Sequence, residues 1–380
     1  MSSRNQLIPR RAFVPFIVSA LAFPAALLCE TFPSGVARIV AIGDVHGDLG
    51  QFTAVLRSAG LINEKNKWVG GKTHLVQTGD IPDRGPDTRK IMDLLMDLEK
   101  QAKKAGGAVH ALIGNHDCMN IYGDLRYTTP EEFAAFKDGR SEEIRKHFYQ
   151  QHVEELKAKG QAEPGEDYRK KWEEEHPLGW FEHRYQFGSQ GKYYKWILQH
   201  RAVMKVNDTI FLHGGIGPKY ADFDLDKINE LVLAELKDFT KLNGGIVMDE
   251  EGPLLYRGLA NGNGAELAAH VDAVLARHGA KRIVVGHTTT HGAVLTRFGG
   301  KVAVIDVGLS KAYGNRMACL VIEGARAYTL HRGKQLALPG DDGQDLLRYL
   351  KQAAALDPQP SPLSALISDL EAKLAAGTRN

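Results

Sequence analysis

Cysteine is scarce. The 380 residues hold three, Cys29, Cys118 and Cys319, with no C-x-x-C spacing. That excludes a disulfide-framed fold and argues against a cysteine zinc site. A dominant sign of charge is also missing: 48 Lys and Arg face 46 Asp and Glu, for a net charge of +2. A surface built to grip nucleic acid or an anionic membrane needs a stronger basic bias, so no nucleic-acid partner is expected. Aromatic residues at 8% and hydrophobic residues at 43% are ordinary values, which excludes a disordered or collagen-like chain. The longest apolar stretch, residues 12–28, carries Pro15 and Pro24 and is short for a bilayer crossing. No internal repeat of fixed period is present. What remains is an α/β-like enzyme or binding protein of two or three domains, or one large domain with insertions.

The first thirty residues have a different character. Arg4, Arg10 and Arg11 precede the apolar stretch, and no acidic residue occurs before Glu30. This is the layout of an export signal, and RRAFV resembles the twin-arginine pattern. Residues 1–30 are expected to be a signal peptide or N-terminal anchor. The chain is then exported, with the periplasm as destination, and touches a membrane only through an uncleaved leader.

Past residue 36 a rhythm appears, in which short apolar runs lead at once into glycine and a polar residue suited to metal or phosphate. VARIVAIGDVHGD reaches Asp44 and His46; THLVQTGDIPDRG reaches Asp80, Asp83 and Arg84; AVHALIGNHD reaches Asn115 and His116. NDTIFLHGGIG reaches His213, and KRIVVGHTTTHG reaches His287. Such runs are buried central strands. Helical stretches between the first three, one with Ile91, Leu94, Leu95 and Leu98 on one face and Gly106 at its end, imply right-handed crossovers and parallel pairing. The strands' carboxyl ends then share an edge, where the five polar groups converge. After His287, AVLTRFGGKVAVID and MACLVIEGARAYTLH alternate around glycine turns and predict antiparallel hairpins.

Residues 131–175 differ again, because 22 of the 45 are charged. Phe133 and Phe136, then Ile144, Phe148, His152 and Leu156, recur at helical spacing. Solvated helices with one buried stripe are predicted, forming a charged cap or a substrate-facing lid within an insertion at 118–200. Residues 340–380 read as peripheral helices or a loose tail. The main domain is placed at 36–335.

Two metal ions held close together need carboxylate, imidazole and amide ligands, one of them shared. Asp44, His46 and Asp80 suit one ion; Asp80, Asn115, His213 and His287 suit the other. A shared Asp80 would set the ions about 3.5–4 Å apart. Arg84 and Arg257 have the forked donor geometry that binds two phosphate oxygens at once. GGKT at 70–73 is not a P-loop, since Asn66 stands where the first glycine belongs. Cys118 is not a phosphatase nucleophile, since Asp124 stands where that chemistry needs arginine.

The motifs GDVHGD (43–48), GDIPDRG (79–85), GNHD (114–117), LHGG (212–215), YRG (256–258) and GH (286–287) resemble the phosphoprotein phosphatase branch of the calcineurin-like metallophosphoesterases. MNIYGDLRY and GPLLYRG are similar to the Shewanella-like protein phosphatases of bacteria and plants. Two departures from the eukaryotic phosphatases are Asp117, where those enzymes carry Glu, and the 98-residue step from Asn115 to His213.

The resemblance implies an α/β/β/α sandwich of two central mixed sheets flanked by helices, with a charged helical insertion. It implies a dinuclear-metal phosphomonoester hydrolase in which a metal-bridging hydroxide attacks phosphorus in line. Asp44, His46, Asp80, Asn115, His213 and His287 would be the ligands of two divalent ions, Mn2+ or else Fe or Zn2+. His116 would be the general acid, oriented by Asp83. Arg84 and Arg257 would bind phosphoryl oxygens, with Asn115 and Tyr313 facing the same phosphate. The substrate would be a phosphorylated protein. Two alternatives stay open: a hydrolase of small phosphate esters or dinucleoside polyphosphates, and a catalytically dead binding module on the same fold.

Overall fold

A computed structural model describes residues 32–340 and 342–377, and there the apolar runs become strands. The leader read at residues 1–30 lies outside the described residues. Strands β1 (Arg38–Ile42), β2 (His74–Gln77) and β3 (Ala108–Ala111) run parallel, with Ile39 opposite His74 and Leu75 opposite Val109. A second sheet holds β4 (Val203–Val206), β5 (Thr209–Leu212), β6 (Arg282–Val285), β7 (Leu295–Arg297) and β8 (Val302–Val304). Its order is β4-β5-β6-β8-β7, and β5, β6 and β8 are parallel. Strands β9 (Ala318–Glu323), β10 (Arg326–His331) and β11 (Lys334–Ala337) complete the first sheet in the order β11-β10-β9-β1-β2-β3. Both hairpins predicted after His287 are present, as the antiparallel pairs β7–β8 and β9–β10.

Helix α1 (Leu49–Ser58) connects β1 to β2, and α2 (Thr88–Lys104) connects β2 to β3. The Asp48 side chain caps α1 by accepting from the Gln51 amide at 3.0 Å. On α2 the residues Ile91, Met92, Leu95, Leu98 and Ala102 are buried, and Gly106 at φ 80° follows its end. The central strands are buried on both faces, Val40, Leu75 and Val284 completely. Each such side chain contributes about 1.5–3 kcal/mol by leaving water. This makes two mixed sheets flanked by helices, as the resemblance implied.

Helix α3 (Asn115–Tyr122) follows β3, and the insertion then adds α4 (Pro130–Phe136), α5 (Ser141–Ala158), α6 (Glu166–Glu175), α7 (Trp180–Phe187) and α8 (Lys192–Ile197). Phe133 and Phe136 are buried as expected. The stripe along α5 is different: Ile144, Phe148, His152 and Leu156 are only half-buried. The reason is that α5 packs on α6 and α7 rather than on the central core, with Phe148 stacked on Phe181 at 4.2 Å.

Farther along lie α9 (Leu225–Lys237), α10 (Gly258–Asn261) and α11 (Ala265–Arg277). The C-terminal segment forms α12 (Gly343–Leu356) and α13 (Ser364–Gly377), attached through Tyr349, Leu350, Ala353 and Leu363 against Ala293. No helix among the described residues is long and apolar enough to cross a membrane.

Candidate active site

The carboxyl ends of β1, β2 and β3 in one sheet meet those of β5, β6 and β8 in the other. The seam is tight. A Cβ on Gly286 would lie 2.5 Å from Asp44 Oδ1, and one on Gly114 would lie 2.3 Å from Asp80 Oδ1. Only glycine lets these backbones approach so closely. A cleft of about 450 Å³ opens along the seam, lined by Asp44, His46, Asp80, Arg84, Asn115, His116, Arg257, His287 and Tyr313. His213 and Asp83 are fully buried beside it. Every site residue expected from the sequence is therefore in one place. His46, Asp80, Asp83, Arg84 and His287 all have positive φ; such strained backbone gathers where side chains must be aimed.

Backbone partners fix the imidazoles. His46 Nδ1 donates to the Pro82 carbonyl at 3.2 Å, and His213 Nδ1 donates to the Thr78 carbonyl at 2.9 Å. Nε2 is then the nitrogen that each ring turns toward the cleft. His213 Nε2 lies 2.9 Å from Asn115 Oδ1, 3.1 Å from His287 Nδ1 and 3.3 Å from Asp80 Oδ2. His46 Nε2 stands 3.8 Å from the same Asp80 oxygen and 3.9 Å from Asp44 Oδ2. Lone pairs crowded this closely call for a cation between them. Two groupings with metal-ligand spacing result, His46–Asp80–His116 and Asp80–His213–His287, and Asp80 belongs to both. The donor set fits two divalent ions.

Charge tells the same story. Burial, together with Asp306 and Asp80, raises Asp44 well above the usual carboxylate range. Burial also opposes ionisation of Asp80, but His213 and then His116 beside it outweigh burial and hold it well below that range. Burial pushes His46 down to about 4 and lowers His287 further, helped by His213. Both are neutral at ordinary pH, the state in which imidazole binds metal. His116 behaves oppositely: burial would lower it, yet Asp80 and Asp83 outweigh burial and raise it.

The arginines are held at the cleft wall. The Arg84 guanidinium lies 4.1 Å from the centre of the Tyr127 ring, and Arg257 Nη1 donates to the His287 carbonyl at 2.8 Å. Tyr313 packs 5.2 Å from the His46 ring. Asp117 Oδ2 accepts from the amides of Gly114 and Asp80, both at 2.8 Å, so it ties the β2 and β3 loops together.

Some residues of the site escaped the sequence reading. Asp306, buried after β8, accepts from Thr289 Oγ1 and the Gly308 amide, both at 2.9 Å. Its signal was present, because KVAVID is one more apolar strand running into an acid. Tyr122, Asp124, Arg126 and Tyr127 also line the cleft, so the insertion reaches the site.

The calcineurin-like phosphoesterase family matches residues 37–290, more than half of the chain. An uncharacterized protein of Schizosaccharomyces pombe is 32% identical, covering 75% of this chain and 76% of that protein. Shewanella-like protein phosphatase 2 of Arabidopsis thaliana is 31% identical over 72% of each chain. Among solved structures, a cold-active protein tyrosine phosphatase superposes with a TM-score of 0.63 at 26% identity, covering 81% of this chain and 80% of that one. A second structure of such an enzyme, from a psychrophilic Shewanella, gives 0.62 at 27% identity, with 80% and 81% covered. With this fold, these gathered acids and histidines and these relatives, the chain belongs to the calcineurin-like phosphoesterase family and is a hydrolase of the phosphatase type.

Proposed function

We propose that the chain is a phosphoprotein phosphatase that uses two divalent metal ions to hydrolyse phosphomonoesters. The observation that carries the reading is the place of Asp80, whose Oδ2 lies 3.8 Å from His46 Nε2 and 3.3 Å from His213 Nε2. Asp44, His46 and Asp80 would hold one ion, and Asp80, Asn115, His213 and His287 the other. When bound, the ions would supply Lewis acidity and an activated water. The chain's own residues do the rest. Arg84 and Arg257 bind the equatorial phosphoryl oxygens, with Asn115 and Tyr313 on the same wall, and balance charge that develops there. His116, whose Nδ1 is 2.6 Å from Asp83 Oδ2, donates the proton on Nε2 to the leaving oxygen.

Relatives named protein phosphatases favour a phosphorylated protein as substrate over a nucleotide. The complete set of polar residues, with the His116–Asp83 pair intact, disfavours a dead binding module. A panel of phosphoserine, phosphothreonine and phosphotyrosine peptides, set against p-nitrophenyl phosphate and dinucleoside polyphosphates, tests this. Hydrolysis of one or more peptides with higher kcat/KM than any nucleotide is expected. Preference for a nucleotide would transfer the chain to the small-ester class. Export belongs to the proposal too, and a reporter fused after residue 36 should leave the cytoplasm.

A further inference from the structure

The turn that aims Asp83 and Arg84 is held from outside the two sheets. Both residues have left-handed backbone, at φ 72° and 67°, which costs a residue with a side chain of order 1–3 kcal/mol. The bonds that hold them come from residues 127–132, where the charged insertion begins. The Arg84 amide donates to the Tyr127 carbonyl at 3.1 Å, and the Asp83 amide donates to Glu132 Oε1 at 3.3 Å. Thr128 Oγ1 donates to Asp83 Oδ1 at 2.8 Å, which leaves Oδ2 for His116.

Glu132 is unusual in this setting. It lies in a stretch dense with charge, yet it is fully buried. Beside its carboxyl lies the buried hydroxyl of Thr88. That hydroxyl can donate to the carboxyl oxygen which the Asp83 amide leaves free. Burial, reinforced by Asp83, pushes Glu132 up to about 8.

We propose that Glu132 is a positioning residue for the acid step, a buried carboxyl that braces the Asp83 amide and so keeps the Asp83–His116 pair aimed at the leaving oxygen. The proposal rests on the reading of His116 as general acid. It gives the start of the insertion a task in the chemistry beyond capping the fold.

The test compares Glu132→Gln, Glu132→Ala and Glu132→Asp in metal-reconstituted enzyme, on a phosphoserine peptide and on p-nitrophenyl phosphate, with metal content measured. Gln keeps an acceptor for the Asp83 amide, so activity within about threefold of the parent is expected on both substrates. Ala removes the acceptor, and kcat on the peptide should fall roughly tenfold or more while kcat on p-nitrophenyl phosphate and both KM values change little. Asp withdraws the acceptor by one methylene and should follow Ala, which keeps the test decisive if Ala does not fold. Equal losses on the two substrates, or a Gln variant as damaged as the Asp variant, would overturn the proposal. His116→Asn, run alongside, separates the two readings. If it loses both substrates equally, the acid role itself fails, whatever the Glu132 variants do.

Discussion

Asp83 Oδ2 lies 2.6 Å from His116 Nδ1, and both side chains are buried. The carboxylate fixes the ring's orientation and holds one proton at Nδ1. Asp80 and Asp83 also favour the imidazolium against burial, the form that the proposed acid role requires.

His116→Asn should therefore lower kcat on a serine or alkyl phosphate by about 10²–10⁴, and on p-nitrophenyl phosphate by much less, because that leaving group needs little protonation. Steady-state kinetics on the two esters, with metal content matched to the parent, check this.

Arg257 is bonded to the His287 carbonyl and lines the cleft, and its proposed partners are oxygens common to every phosphoester. Arg257→Ala should reduce kcat/KM on both esters to a similar degree, by roughly 10- to 100-fold for a lost charged hydrogen bond. A loss confined to one leaving group would place Arg257 on the substrate's body.

Histidine 183 gives a stability test away from the chemistry. It is fully buried among Phe133, Phe136 and Phe187, with neither ring nitrogen partnered among the described residues. Burial, and then Arg184, hold it well below its usual value. The folded state thus binds fewer protons here than the unfolded one. The contribution is intact above an unfolded value near 6.5 and is lost as pH falls below it, by about 1.4 kcal/mol per pH unit. Urea denaturation from pH 7.5 to 5 should show that slope, and His183→Leu should remove one proton's worth of it.

Much of the site was legible because each ligand-type residue follows its own strand directly. GDVHGD after β1 or GNHD after β3 needs no knowledge of distant partners. Two acids show where that stops. Asp306 follows a strand like the others, but the hairpin pattern around it drew the reading toward the turn. Glu132 sits in a segment with 22 charges in 45 residues, whose local pattern says solvent. Its burial is decided by Asp83, 49 residues away, and no local periodicity carries that contact. The half-buried stripe of α5 has the same cause. Helical spacing identifies the inward face, and tertiary packing decides what that face meets.

Asp80→Asn should weaken both metal groupings at once, while His287→Asn should touch only the one it belongs to. Reconstituted with Mn2+, the first variant should bind well under one ion per chain and the second about one.

The most direct test is metal stoichiometry read together with activity. The protein, stripped by a chelator and titrated with Mn2+, is followed by elemental analysis and by hydrolysis of a phosphopeptide. The account predicts an inactive stripped protein and two ions bound per chain at saturation, with activity appearing as the second site fills. Full hydrolysis by protein shown to be metal-free, or saturation of activity at a single ion, would contradict it.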